Sequence, residues 1–218
     1  MKIARLAARV AAGVAATALV TTAAAAPAQA GTTKRLGTKS LAQVLLADKS
    51  GFDHNPRDFD VLTRAVLTVL EAKPNSPVKV LTDGTVALTA FLPTDAAFQQ
   101  LVRDLTDARR LPSESAAFTA VAGLGVDTVE TVLLYHVVPG ATIDRGAAVK
   151  ADGAELTTAL GSTVEVDVRT YWHRFKMVRL IDADTDDRDP RVVAFDINKG
   201  NRQIAHTIDL VLRPVDLD

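Results

Sequence analysis

The chain contains no cysteine in 218 residues, which excludes disulfide staples, thiol nucleophiles, thiolate metal sites and dithiol redox chemistry. Stability must then rest on burial alone. No Gly-x-Ser-x-Gly elbow occurs, and Ser76-Pro77-Val78-Lys79 matches Ser-x-x-Lys only by letter, in a proline-broken loop with no companion motif. Glycine-rich phosphate loops are absent. The four histidines, at 54, 136, 173 and 206, show no ligand spacing, so a zinc centre has no support. Tryptophan occurs once, at Trp172. No catalytic, metal or cofactor-binding residues are expected from these patterns, and no cofactor.

Charge of one sign is also missing: 25 basic residues stand against 26 acidic ones. Three of the positives, Lys2, Arg5 and Arg9, give the chain a positive start, Ala7 to Val20 is an apolar run without acids, and Ala28-Gln29-Ala30 has the small-x-small cleavage pattern. Residues 1–30 therefore read as a secretory signal peptide. The run is shorter and more alanine-rich than the roughly 20 residues of a spanning helix. Without the leader, 22 basic residues face 26 acidic ones, a mildly acidic balance that argues against nucleic-acid binding, which needs a dense basic face. No second long apolar segment follows, so no stable membrane insertion is expected after cleavage. The expected location is secreted, extracellular or associated with the cell envelope.

Residues 31–39 read as a flexible lead-in and 40–218 as one domain. A helix follows Thr38 or Ser40, either able to cap it, with Leu41, Val44, Leu45 and Phe52 on its pattern. Asp53 to Asp58 is a polar break. Phe59, Leu62, Ala65, Val66, Val69 and Leu70 form a second amphipathic helix ending before Pro74. Val78 to Leu81 and Val86 to Leu92 read as a hairpin around Asp83-Gly84. Thr94 caps a helix carrying Phe98, Leu101, Val102 and Leu105, and Arg109 to Ser113 interrupts it. Another helix opens at Asp127, where Glu130 completes a capping box, and stops at Pro139-Gly140. Thereafter the period is that of strands: Leu156–Leu160, Thr163–Arg169, Phe175–Ile181, Val192–Ile197 and Ile204–Leu212. Helices first and strands last indicate an α+β fold.

Three segments carry a family resemblance. They are Pro93, Thr94, Asp95, Ala97 and Phe98 after a strand; Tyr135, His136, Val137, Pro139 and Gly140 at a helix end; and Ile204, His206, Ile208, Asp209, Val211, Leu212 and Pro214. In this order the chain resembles the fasciclin-type domains, over roughly Ser40 to Pro214. The resemblance implies a wedge of two antiparallel β-sheets with helices packed along one side. It also implies a non-catalytic module for cell adhesion or interaction with a cell-surface or envelope protein or glycan. Some similar domains carry small apolar ligands such as carotenoids or lipids, which is the alternative reading. The chain departs from the pattern in a long acidic segment, Asp182 to Arg191, and an aromatic, basic stretch, Tyr171 to Phe175.

These features supply the candidates. Tyr135 and His136 are, by the resemblance, a recognition pair; alternatively His136 holds a neighbouring loop by hydrogen bonds. Tyr171, Trp172 and Arg174 are a candidate interaction strip, since Trp and Arg are enriched at binding hot spots; alternatively Trp172 covers the sheet. Asp182, Asp184, Asp186, Asp187 and Asp189 can wrap calcium in principle, but Asp187 and Val193 stand where an EF-hand needs Gly and Glu. The segment reads as a charged loop.

Overall fold

The computed structural model describes residues 35–171 and 175–215, so the expected leader at 1–30 lies outside the described residues. Among these residues no single helix is long and apolar enough to cross a membrane.

Ser40, not Thr38, starts the first helix, α1 (Leu41–Leu45): its hydroxyl accepts from Gln43 N at 3.2 Å while Gln43 returns a bond to Ser40 N at 3.0 Å. Helix α2 (Asp60–Ala72) buries Leu62, Ala65, Val66 and Val69 of the expected stripe and Val61 besides, while Phe59 and Leu70 are partly buried. The expected hairpin does not form. Pro77–Thr82 is a 3₁₀ helix, begun by Ser76 accepting from Val78 N, because Pro77 presets its first turn. Three residues per turn then bring Val78 and Leu81 to the same buried side. Gly84 is needed just beyond it, where an added Cβ would collide with the backbone of Thr38 and Ser40.

Strand β1 (Leu88–Pro93) leads through Thr94, which accepts from Ala97 N at 3.3 Å, into α3 (Asp95–Leu105). An unexpected helix follows, α4 (Glu114–Gly123), capped by Ser113. Its alanines favour a helix but mark no apolar stripe, so the period is silent there. Helix α5 (Val126–Tyr135) starts one residue before Asp127, with Gly125 at φ 90° as its cap. Glu130 makes no capping box; it pairs with Lys73. The chain continues through β2 (Val137–Pro139), α6 (Arg145–Ala148), β3 (Glu155–Thr157), β4 (Thr163–Tyr171), β5 (Phe175–Ile181), β6 (Val192–Ile197) and β7 (Gln203–Ile208).

Two sheets result, ordered β2-β1-β7-β6 and β3-β4-β5. The ladders are antiparallel except β1 with β7, which run parallel from Leu88↔Gln203 to Pro93↔Ile208. Strand β1 is buried on both faces, and strand alternation divides its side chains between two cores. Leu88, Ala90 and Leu92 meet the helices; Phe91 meets Val164, Val166, Val178 and Leu180 of the three-stranded sheet. The helices thus lie along one side of the larger sheet, and the smaller sheet covers the other.

Gln203 ties the larger sheet to α1 and to the 3₁₀ turn. Fully buried, it accepts from Leu41 N at 2.7 Å and donates to Val80 O and Asp83 O, both at 2.8 Å. In a Gln203→Leu variant both carbonyls keep a backbone partner, but the Leu41 N–H is left buried and unpaired. Stability should fall by about 2 kcal/mol in urea unfolding, the cost of one orphaned donor. An unchanged midpoint would show that the side chain is not holding α1.

Candidate functional site

Helix α5 runs directly into β2, so Tyr135 and His136 sit where the helical layer meets the sheets and point inward. The expected recognition pair is therefore corrected: Tyr135 is 0% exposed and His136 is buried, leaving neither side chain a surface to offer. Tyr135 donates to Thr163 O at 3.0 Å, and burial with the nearby Asp182 carboxyl pushes its phenol up to about 12. The loop-holding role is the one the geometry supports. His136 Nδ1–H donates to Val132 O at 2.7 Å and Nε2 accepts from Leu212 N at 3.0 Å. The bond accepted by Nε2 requires the neutral ring, and burial drives its pKa down to about 4. His206 is clamped with the opposite tautomer: Nε2–H donates to Ile143 O at 2.9 Å, and Nδ1 accepts from Asp196 N at 3.2 Å.

The acidic segment after β5 has a basic centre. Asp182 accepts from Arg213 N at 2.9 Å, Asp184 pairs with the Arg213 guanidinium at 3.1 Å, and Asp187 pairs with it too. Side-chain exposure is 7% for Arg213 and 2% for Asp184. Asp189 reaches back to Arg179 at 3.2 Å. Burial pushes Asp182 up to about 6, helped by the charges of Asp184 and Asp189, against the pull of the Arg213 and Asp184 N–H groups. The segment is a strap closed on an arginine. Beside it lies a polar cleft of about 370 Å³, lined by Gln100, Arg103, Asp104, Asp187, Arg188 and Arg213 among others.

Of the expected strip, Trp172 and Arg174 lie outside the described residues. Tyr171 ends β4 and is paired with Phe175, the first residue of β5. From Arg169 outward both strands leave the core, so Tyr171 is 45% and Phe175 64% exposed. Two aromatic side chains side by side in water at a hairpin end make a small apolar patch available for contact.

One feature escaped the sequence reading. The polar break at Asp53 to Asp58 folds against the starts of α2, α3 and α4, bringing Asp53, Asp58, Asp60, Asp95 and Glu114 together. Burial, then repulsion by Asp58, Asp48, Asp53 and Glu114, raises Asp60 to about 6; Asp95 is raised as well, first by burial. An acid directly after a helix cap, repeated at Asp95 and Glu114, was the signal available. Nothing local says that those helix starts converge.

The fasciclin domain family model matches residues 66–214. Among curated proteins none matches by sequence. A solved structure of a FAS1 domain pair from the insect cell adhesion molecule fasciclin I is similar, with TM-score 0.54 and 16% identity over 81% of this chain. The chain spans about half of that structure, 51% of its length. At that identity the likeness speaks for the fold, which agrees with the two sheets and the helical layer described above. The family match covers more than half of the chain and includes all three sequence boxes: this protein belongs to the fasciclin domain family.

Proposed function

We propose that this chain is a non-catalytic interaction module working outside the cytoplasm, and that it meets a surface protein or glycan through the end of the β4–β5 hairpin. Fasciclin domains are in general adhesion or protein-interaction modules of extracellular or surface proteins. The observation that carries the reading to a place is the exposed Tyr171–Phe175 pair, with Trp172 and Arg174 between them in sequence. Large aromatics and arginine dominate binding hot spots: the aromatics desolvate much area at little entropic cost, and arginine presents five donors in a planar fork. Export rests on the leader pattern at 1–30, and the exported protein should show Gly31 as its first residue by mass spectrometry.

The apolar-carrier reading finds little support in the interior. Apolar cavities among the described residues include one of about 20 Å³ between Leu62, Phe98, Leu133 and Val211, and one of about 60 Å³ beside α1. Ligand pockets generally run from roughly 300 Å³ upward.

A Tyr171→Ser, Phe175→Ser double variant tests the hairpin. In pull-downs from the native envelope fraction it should recover at least about tenfold less partner than wild type, the effect of losing one hot spot. Its melting temperature should stay close to wild type, because neither side chain is in a core. Equal recovery by both proteins would rule the hairpin out.

A further inference from the structure

Three helices begin beside one another, and each begins with an acid: Asp60 for α2, Asp95 for α3 and Glu114 for α4. An acid at a helix start is ordinarily explained by the dipole and the free N–H groups. Asp95 is accounted for in that way, although across elements. Helix α2 has Phe59 as its cap and no side-chain cap bond, and Asp95 supplies one, accepting from Asp60 N at 3.3 Å and Val61 N at 2.9 Å. Glu114 Oε2 accepts from His54 N at 3.1 Å.

What remains is not accounted for. Glu114 is 2% exposed, yet its Oε1 has no partner, and Asp58 Oδ1 and Asp60 Oδ2 are likewise buried and unpartnered. A buried carboxylate oxygen without a donor is costly, and three in one place are more so. Among the described residues, none of the ion pairs involves Asp53, Asp58, Asp60, Asp95 or Glu114. One oxygen each from Asp53, Asp60 and Glu114 lie within 4.8 Å of one another, and Asp58, Asp60 and Asp95 form a second such group. Oxygens arranged around one cation at roughly 2.4 Å stand no farther apart than about twice that length.

We propose that Asp53, Asp60 and Glu114 bind a calcium ion, with Asp58 and Asp95, which are hydrogen-bonded to each other, beside it. The donors are all oxygen, which selects a hard cation. Glu114 arrives from α4, Asp60 from α2 and Asp53 from the loop before it, so the ion ties that loop to two helices. Ligands drawn from a loop and two helix starts do not impose a tight octahedron, which favours calcium over magnesium. Water completes the shell on the exposed Asp53 side.

The test is calorimetry and thermal unfolding of the whole chain during calcium titration, beside Glu114→Gln, Asp53→Asn and, as a control in the arginine strap, Asp186→Asn. Wild type should bind with Kd on the order of 0.1–1 mM, the range of extracellular modules, with a saturable rise in Tm. Glu114→Gln and Asp53→Asn should each weaken binding at least tenfold, and Asp186→Asn should leave it unchanged. Asp53 is exposed, so its variant reads the site even if Glu114→Gln fails to fold. No heat and no shift at about 10 mM calcium overturns the proposal. So does a response that survives both site variants, or one that Asp186→Asn abolishes. A magnesium response equal to that of calcium overturns the choice of ion.

Discussion

An Arg213→Met variant should lose about 3–5 kcal/mol of unfolding free energy, the usual cost of removing one partner from a buried ion pair. Methionine keeps most of the volume and the backbone N–H to Asp182, so the loss isolates the guanidinium. Asp184, with 2% of its side chain exposed, is then left charged with no counterion, and Asp187 loses its partner too. Urea unfolding measures the deficit, and the double variant Arg213→Met, Asp184→Leu separates pairing from packing. Most of the loss should return in the double variant, because an apolar pair costs less than a lone buried charge. If the single variant stays within about 1 kcal/mol of wild type, as exposed pairs do, the strap is held by something else.

His136→Gln should be destabilised at neutral pH, and its deficit against wild type should shrink by about 3 kcal/mol between pH 7 and pH 4. Burial lowers His136 from its ordinary value of 6.5 to about 4, so between those values the unfolded chain takes a proton that the folded one refuses. The ring's contribution is complete above pH 6.5 and is lost as the pH falls through 4. Glutamine can also accept from Leu212 N, and it does not titrate. Asp182, raised to about 6, acts with the opposite sign, stabilising on the acid side and fading as the pH rises. It is present in both proteins and leaves the difference alone. Chemical denaturation across the range supplies the measurement; a constant difference would mean that folding leaves the His136 pKa unshifted.

Local chemistry was readable where one segment contains its own answer. Ser40 and Thr94 cap the helices they precede, and Val164 and Val166 alternate inward along β4 as the period requires. The fold family was legible from three short boxes. The failures have a common cause, which is partners supplied from elsewhere in the chain. Val78 and Leu81 suit a strand, but Pro77 and Ser76 turn them into a 3₁₀ helix whose buried side faces the helices. Tyr135 and His136 stand open to a surface or an interior role in the sequence until β2 follows without a loop. Arg213 lies beyond the last strand, so a run of aspartates read alone becomes a solvated loop. The five-carboxylate cluster is scattered over segments that only the meeting of α2, α3 and α4 unites.

The parallel pairing of β1 with β7 sets the timetable of folding. Leu88 to Pro93 occupies the middle of the larger sheet, and its neighbour on one side is not synthesised until residues 203–208 emerge. Contacts so distant in sequence must close a long loop before they return any energy, which slows the search. A nascent polypeptide can assemble its helices with β1 and β2 early, but the larger sheet stays incomplete until β7 pairs with β1. Truncation before Gln203 would remove the strand that contributes Ala205 to one core and Ile208 to the other.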